Sequence, residues 1–157
     1  MKISFEKRNS VYEVEEGEKL QPKFDKNGLI PVITVNESDK EILMHSFMNE
    51  EAFKLSIKTK QAHYWSRSRK TIWKKGETSG LSQNIKKIKI DDDQDCVIFY
   101  VELGGLKASC HVGYKSCFYR ELAINENDKK IQLVFTETKK VFDPKKIYGN
   151  TPNPTKL

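Results

Sequence analysis

Two of the chain's three cysteines, Cys110 and Cys117, lie seven positions apart in the stretch CHVGYKSC. Zinc prefers thiolates and imidazoles as ligands, and a catalytic zinc site combines three protein ligands with one open position for water. Cys96 and His111 are further candidate ligands. The same spacing also suits a disulfide, a nucleophilic thiol or two core residues, because free cysteine behaves as a small hydrophobe. Spacing alone leaves these interpretations open.

Three aspartates, Asp91, Asp93 and Asp95, alternate in the stretch DDDQD. On an extended chain they would point to one face, about 7 Å apart. Such carboxylates repel one another unless a cation lies between them, and oxygen ligands suit Mg²⁺ or Ca²⁺. An EF-hand loop does not fit, because its sixth position would be Cys96 instead of glycine and its flanks are strand-like. The alternatives are a cation site and a solvated acidic turn.

The stretch SRSRKTIWKKGETSG, residues 66–80, combines basic side chains with hydroxyls beside glycines. Guanidinium groups and hydroxyls at such a loop can hold phosphate. The stretch lacks the G-x-x-x-x-G-K pattern of a P-loop. Two tryptophans interleave with the basic residues, as they do on nucleic-acid surfaces and equally in a β-rich core. The basic residues are Arg67, Arg69, Lys74 and Lys75.

The composition indicates a single domain without a membrane span. The chain has 157 residues, enough for one hydrophobic core, and a formal net charge of +6. It contains no apolar run of about 18 residues, and its start lacks the apolar stretch of a secretory signal. We therefore expect a cytoplasmic protein, in which paired cysteines indicate a metal or catalytic site more than a disulfide. The positive charge favours a nucleic acid or a phosphorylated metabolite as partner.

Most predicted elements are strands. Apolar runs at 30–35 and 41–47, joined by a polar turn, predict a hairpin. Asn49 is a typical N-cap, acidic residues follow it, and the helix it begins should end near Thr59. Further strands are predicted at AHYWSRS, TIWKK, NIKKIKI, CVIFYVEL, CFYRELAI and IQLVF.

These elements predict a β-dominated α+β fold with one main helix. We divide the single domain into an N-terminal extension at 1–23, a core at 24–124, and a C-terminal strand and tail at 125–157 that belong to the same domain. The extension has little periodicity and is expected to be mobile or packed at an edge. The proline- and glycine-containing tail is expected to end disordered.

Six stretches, taken in order, resemble the phosphoribosyl-AMP cyclohydrolases, which are enzymes of histidine biosynthesis. The resemblance covers roughly residues 24–120. Each stretch alone is weak, but their ordered combination is specific to the family. The stretches are FDKNGLIPVI, MNEEAF, YWSRSR, WKKGETSG, DDDQD and CHVGYKSCFYR.

The resemblance implies a reaction and two metals. It implies hydrolytic opening of the adenine ring of phosphoribosyl-AMP at the N1–C6 bond. Asp91, Asp93 and Asp95 match the family's magnesium ligands, and Cys110 and Cys117 match two zinc ligands. The resemblance also implies a two-fold homodimer with a zinc site that is completed by cysteines of both subunits.

The implied chemistry suits these residues. Zinc can lower the pKa of bound water to about 7, which supplies hydroxide for attack on the purine C6. His111 adjoins a zinc ligand and is the candidate catalytic residue that shuttles the proton. Magnesium and the basic stretch would bind the two phosphates of the substrate. The candidate substrate-binding residues are Arg67, Arg69, Lys75, Glu77, Thr78 and Ser79.

Two positions depart from the family's pattern. Leu81 stands where the family usually has the histidine of GETSGH, and Asp92 stands where it has the third zinc cysteine. Cys96 lies four residues further on, which is about 13 Å along an extended strand. We assign Cys96 as the third zinc ligand, with Asp92 as the alternative. His45 and His63 match no functional position.

Two other functions remain as alternatives. A basic, zinc-stabilised nucleic-acid-binding module would explain the charge and the tryptophans. It would leave the aspartate triplet unexplained, because carboxylates repel phosphate, and we therefore expect no nucleic-acid partner. A relative of the cyclohydrolases with altered or lost activity would explain Leu81 and Asp92.

Overall fold

A computed structural model describes residues 2–124 and 131–157, and strands dominate both parts. Three helices accompany the strands in the described residues, and the middle helix is the longest. The elements are α1 (Val11–Glu16), β1 (Leu29–Asn36), β2 (Ile42–Asn49), α2 (Glu50–Thr59), β3 (His63–Ser66), β4 (Thr71–Lys74), β5 (Gln83–Ile90), β6 (Val97–Leu103), β7 (Arg120–Ala123), β8 (Gln132–Phe135) and α3 (Pro144–Tyr148).

Six strands form a curled sheet in the order β4-β3-β2-β1-β6-β5, and β7 and β8 form a separate hairpin. Neighbouring strands run antiparallel except β1 and β6, which are parallel. The sheet curls until β5 meets the segment that enters β3. There Ala62 N donates to Gln83 O at 3.0 Å, and Ile85 N donates to Lys60 O at 2.8 Å. The curl gives the sheet an enclosed inner face.

The core lies on this inner face. It follows from the alternation of buried and less buried residues along the central strands. Ile30, Val32 and Thr34 of β1 are fully buried, whereas Pro31 and Ile33 between them are half-buried. Side chains along a strand alternate between its two faces, so the period of two sends one set of residues into the core. Helix α2 covers part of this core with its own buried aromatic side chain and an alanine.

Helix α2 begins and ends at its predicted residues. The Asn49 side chain accepts a hydrogen bond from Ala52 N at 2.9 Å, which satisfies one of the free N–H groups of the first turn. Two acidic residues in that turn stabilise the helix, because their negative charges lie at the positive end of its dipole. The helix stops after Thr59 because Lys60 adopts the left-handed conformation, with φ of 55°. The predicted hairpin is likewise confirmed as β1 and β2.

The predicted β-dominated α+β fold is confirmed, with α2 as its main helix. The short helices α1 and α3 were not predicted, because each has at most six residues and little apolar periodicity. Helix α3 lies in the tail. Residues 125–130, which begin the predicted C-terminal part, are outside the described residues. No helix among the described residues has the length and apolar character needed to cross a membrane.

Candidate active site

The loop between β6 and β7 carries two thiols that are in contact. Cys110 is buried, Cys117 is exposed, and the two thiols are near enough that each shifts the pKa of the other. The chain between them turns back on itself, since Ser109 N donates to Lys115 O at 2.8 Å. Gly113 adopts φ of 107° in this turn, and a Cβ there would lie only 2.5 Å from the backbone oxygen of Phe142. Phe142 belongs to residues 131–157, which we call the C-terminal segment. We call residues 109–117 the thiol loop.

Two neighbouring elements hold the thiol loop in place. Cys117 N donates to Leu43 O of β2 at 2.7 Å, and the Ser116 hydroxyl also donates to the backbone of β2. From the other side, the Glu137 carboxylate accepts hydrogen bonds from Lys115 N at 3.0 Å and from Ser116 N at 3.1 Å. The loop between the two cysteines is therefore fixed by both the sheet and the C-terminal segment.

The charge distribution favours a thiolate in this loop. Cys117 donates a hydrogen bond to Cys110, which lowers the pKa of Cys110 to about 6. The pKa of Cys117 is raised, because this thiol must keep its proton to make that hydrogen bond. The buried ammonium of Lys75 also lowers the pKa of Cys110, and its Nζ donates to Ser109 O at 2.7 Å. Burial lowers the pKa of Lys75 itself.

The two sulfurs fit part of a zinc site. Structural and catalytic zinc sites are tetrahedral, and two thiolates supply half of the four positions. Within residues 2–124 and 131–157, no third cysteine, histidine or carboxylate ligand atom lies within 4.8 Å of both sulfurs. One chain thus offers Cys110 and Cys117 and leaves the remaining positions to water or to another chain.

The aspartates lie on a tight turn between β5 and β6, so the predicted extended arrangement is wrong. Ile90 pairs with Val97, and the six residues between them close the hairpin. The Asp91 carboxylate accepts hydrogen bonds from the backbone N–H groups of Asp95 and Cys96, both at 2.9 Å. The turn brings carboxylate oxygens of the three aspartates within 4.8 Å of one another, closer than the 7 Å spacing of an extended strand.

A lysine from the N-terminal segment faces this cluster. Lys23 Nζ lies 3.5 Å from the Asp93 carboxylate and 3.6 Å from that of Asp95. The pKa of Asp95 is raised, first by partial burial and then by the negative charges of Asp93 and Asp91. Three converging carboxylates that repel one another are a donor set that suits a hard divalent cation.

Gln94 attaches the N-terminal segment to the aspartate turn. It adopts the left-handed conformation, with φ of 59°, and its side chain is buried. Its Nε2 donates to Val14 O and Lys19 O, both at 3.1 Å, and its Oε1 accepts from Gln21 N at 2.7 Å. The predicted N-terminal extension therefore packs at the edge of the sheet, beside the candidate cation site.

Both candidates for the third zinc ligand belong to the aspartate turn. Asp92 is exposed near the tip of the turn, whereas Cys96 is half-buried at its end. Burial and the neighbouring charges of Asp91 and Asp95 raise the pKa of Cys96. Because the chain turns here, the predicted separation of about 13 Å along an extended strand does not apply.

The thiol loop and the aspartate turn lie at opposite ends of β5. Gln83 at the start of β5 donates to Ser109 of the thiol loop at 2.9 Å, whereas Asp91 directly follows the last residue of the strand. A strand of that length spans about 20 Å or more. One chain therefore cannot bring Asp92 or Cys96 to Cys110 without rearranging this hairpin.

His111 and Leu81 lie close to the thiol loop in different environments. His111 is half-buried, burial lowers its pKa, and its Nε2 has no hydrogen-bond partner among the described residues. Leu81 is fully buried in a small second core with Ala108 and Phe142, against which Tyr148 also packs. The residue that departs from the family's pattern thus anchors the C-terminal segment.

The candidate substrate-binding residues fall into two groups. Arg67 and Arg69 are exposed at the β3–β4 turn, where the Arg67 guanidinium lies 4.4 Å from the centre of the Phe47 ring. Lys75 and the loop that follows it lie at the opposite end of β4. Lys75 is buried against the thiol loop instead of joining a basic surface. Glu77 and Thr78 are exposed in that loop, and Ser79 is half-buried there.

Sequence reasoning missed the residues that support the two loops. Lys23 and Glu137 lie outside the matched stretches, and Gln94 lies inside DDDQD but is not one of its alternating aspartates. Gln83 and Tyr64 meet in the interior below the thiol loop. No local pattern marks these residues, because their partners are distant in the chain.

The chain is similar to known proteins over most of its length. A family model described as phosphoribosyl-AMP cyclohydrolase matches residues 44–119. A protein of Methanoregula boonei named phosphoribosyl-AMP cyclohydrolase is 48% identical over 132 residues, which are 84% of this chain and 98% of the relative. A protein with the same name from Rhizobium leguminosarum is 45% identical, over 87% of this chain and 89% of the relative. Another, from Sinorhizobium medicae, is 41% identical, over 88% of this chain and 91% of the relative.

Proposed function

The chain belongs to the phosphoribosyl-AMP cyclohydrolase family and is a hydrolase of histidine biosynthesis, and on this premise we propose that its thiol loop holds a catalytic zinc. The observation that carries the proposal is the contact between Cys110 and Cys117, with the pKa of Cys110 lowered to about 6. A low thiol pKa favours the thiolate, which is the form that binds metal. Zinc bound there would supply a water with a pKa of about 7.

In the proposed reaction, the oxygen of one water molecule attacks C6 of the adenine ring, and the N1–C6 bond breaks. The oxygen becomes the carbonyl oxygen of the carboxamide, and a proton is delivered to N1. His111 is placed to move this proton, because it adjoins Cys110 and its Nε2 is free of other partners among the described residues. Its lowered pKa favours the neutral imidazole, which can accept a proton near pH 7.

We propose that the aspartate turn holds magnesium and helps to bind the phosphates of the substrate. Carboxylate oxygens of Asp91, Asp93 and Asp95 lie within 4.8 Å of one another, a grouping of oxygen ligands that suits a hard cation. A bound cation would replace the ammonium of Lys23 as the counter-charge. Lys23 would then be free to contact a phosphate oxygen beside the metal.

A homodimer would unite the two loops. Because β5 separates them within one chain, the aspartate turn of a second copy is the simplest source of a third ligand for Cys110 and Cys117. An isologous two-fold interface would build the same composite site twice. Apolar side chains on the β7–β8 hairpin and just before it are about half exposed, and a second chain would cover them. They are Phe118, Leu122, Leu133, Val134 and Phe135.

The direct test is incubation of the zinc- and magnesium-loaded protein with phosphoribosyl-AMP, followed by the absorbance change on ring opening. We expect turnover by the wild type and none by Cys110→Ser, which should also lose zinc because it lacks one of three ligands. Metal analysis and circular dichroism of both proteins accompany the assay. Full turnover in a preparation free of zinc would refute the proposed role of the thiol loop.

A further inference from the structure

A chain of hydrogen bonds crosses the interior of the curled sheet. The Thr34 and Tyr64 hydroxyl oxygens lie 2.7 Å apart, and the Tyr64 hydroxyl donates to Gln83 Oε1 at 2.6 Å. Gln83 Nε2 then donates to the Ser109 hydroxyl at 2.9 Å. These four side chains come from β1, β3, β5 and the thiol loop. None of them is more than 2% exposed, although apolar residues fill most of the surrounding core.

Such a network is costly unless every member is paired. A buried hydroxyl or amide without a partner loses its hydrogen bonds to water and gains none in return, whereas an apolar residue of the same shape carries no such penalty. In this interior each side chain has a partner, and Gln83 Nε2 also approaches the sulfur of Met44 at 3.3 Å. A fully paired buried network restricts its members to one arrangement, because any rotation leaves a polar atom unsatisfied.

The network ends at the residue that precedes Cys110. Ser109 is held at three atoms: its hydroxyl accepts from Gln83, its carbonyl oxygen accepts from Lys75, and its N–H donates to Lys115. With Ser109 fixed in this way, the position of the Cα atom of Cys110 is also fixed. The Tyr64 hydroxyl and the Gln83 amide therefore act on the thiol pair without touching a substrate or a metal.

We propose that Tyr64 and Gln83 are positioning residues that hold Cys110 in the geometry required to bind zinc together with Cys117. The proposal rests on the zinc site proposed above and adds the reason why the thiol loop is rigid before metal binds. The Tyr64 phenol and the Gln83 amide fix the position of Ser109 by hydrogen bonds, and Ser109 in turn fixes the backbone that carries the Cys110 sulfur.

The test compares Tyr64→Phe and Gln83→Leu with Ser56→Ala, a matched control. The Ser56 hydroxyl is also fully buried, donates to Ala52 O at 2.8 Å and accepts from His63 N at 2.9 Å, but it makes no hydrogen bond to the thiol loop among the described residues. For each protein we would measure the free energy of unfolding, zinc affinity by competition with a chromophoric chelator, the alkylation rate of the thiols in metal-free protein, and kcat and KM.

We expect Tyr64→Phe and Gln83→Leu to bind zinc about ten- to a hundredfold more weakly, as is usual when a group that orients a metal ligand is removed. Their kcat should fall while KM changes little, and their thiols should be alkylated at altered rates. Ser56→Ala should lose stability yet keep the wild-type zinc affinity. Tyr64→Phe removes a single oxygen atom and keeps the test decisive if Gln83→Leu fails to fold.

Wild-type zinc affinity and kcat in Tyr64→Phe would overturn the proposal, as would an equal loss of zinc affinity in Ser56→Ala. The wild-type protein serves as the separate check on the zinc site itself. If it binds no zinc, the proposed function fails. In that case an unchanged thiol alkylation rate in both variants would refute the positioning role independently.

Discussion

The Nζ atom of Lys75 lies 2.7 Å from the carbonyl oxygen of Ser109, which places a buried ammonium beside Cys110 and Cys117. Burial lowers the pKa of Lys75, so this position disfavours the charge it carries. The nearby thiols oppose that effect, because a thiolate stabilises the ammonium. Lys75 and the thiol pair therefore favour each other's charged forms.

We expect Lys75→Met to raise the pKa of Cys110, because the variant removes a positive charge that favours the thiolate. In metal-free protein, the midpoint of the pH dependence of iodoacetamide alkylation should move to higher pH from its wild-type value. Lys74→Met is the matched control, because it removes the neighbouring lysine charge, and Lys74 makes no hydrogen bond to the thiol loop among the described residues. A midpoint that is unchanged or lower in Lys75→Met would contradict this account.

The third zinc ligand can be identified by counting sulfurs. The exposed position of Asp92 near the tip of the turn makes it accessible to a second chain, whereas Cys96 is half-buried and its pKa is raised. These observations favour Asp92 over Cys96, which the sequence analysis assigns as the third ligand. We expect zinc absorption-edge spectroscopy to find two sulfurs, Cys96→Ser to retain zinc, and Asp92→Ala to release it. Three sulfurs, with zinc lost from Cys96→Ser, would restore Cys96 as the ligand.

Substitution of Asp93 tests the magnesium site. Asp93→Asn keeps the size of the side chain but removes the charge that a hard cation requires, so half-maximal turnover should need more magnesium. Lys23→Met should have the opposite effect, since its ammonium competes with the cation for Asp93 and Asp95. The expected change for Lys23→Met is small, because exposed ion pairs contribute at most about 1 kcal/mol. Identical magnesium curves for all three proteins would show that the triplet is a solvated turn.

We expect Leu81 to stabilise the fold by holding the C-terminal segment against the rest of the domain. Leu81→Ala removes a fully buried side chain from its contact with Ala108 and Phe142, and such truncations cost about 2–5 kcal/mol. Denaturant unfolding measures the loss, and limited proteolysis within 139–146 shows whether the segment has detached. Val11→Ala, which truncates an exposed residue of α1, is the control. Wild-type stability and protease resistance in Leu81→Ala would exclude an anchoring role.

A subunit-mixing experiment tests whether the zinc site is shared between chains. Cys110→Ser and Asp92→Ala subunits should each be inactive alone. In a mixed dimer one composite site carries both defects and the other carries neither, so mixing should restore part of the activity. If mixed dimers form, as verified by native mass spectrometry, and no activity returns, the zinc ligands come from a single chain. The same experiment with Cys96→Ser subunits resolves the choice of third ligand.

Local patterns in the sequence were sufficient for much of the fold and for the thiol pair. The hairpin of β1 and β2 follows from a period of two, and α2 follows from Asn49 and the two acids after it, because both signals act within a few residues. Cys110 and Cys117 meet because a seven-residue separation closes readily into a loop. The ordered motifs are likewise sufficient to identify the family.

The aspartate turn and the support of the thiol loop were decided by tertiary structure. The alternating aspartates would lie about 7 Å apart on an extended chain, but the pairing of Ile90 with Val97 forces the intervening residues into a turn that brings the carboxylates together. The contact of Lys75 with Ser109 joins residues 34 positions apart, and that of Tyr64 with Gln83 joins residues 19 apart. Hydrophobic periodicity specifies which face of an element is buried. It does not specify which distant polar groups meet there, because that depends on how the sheet curls.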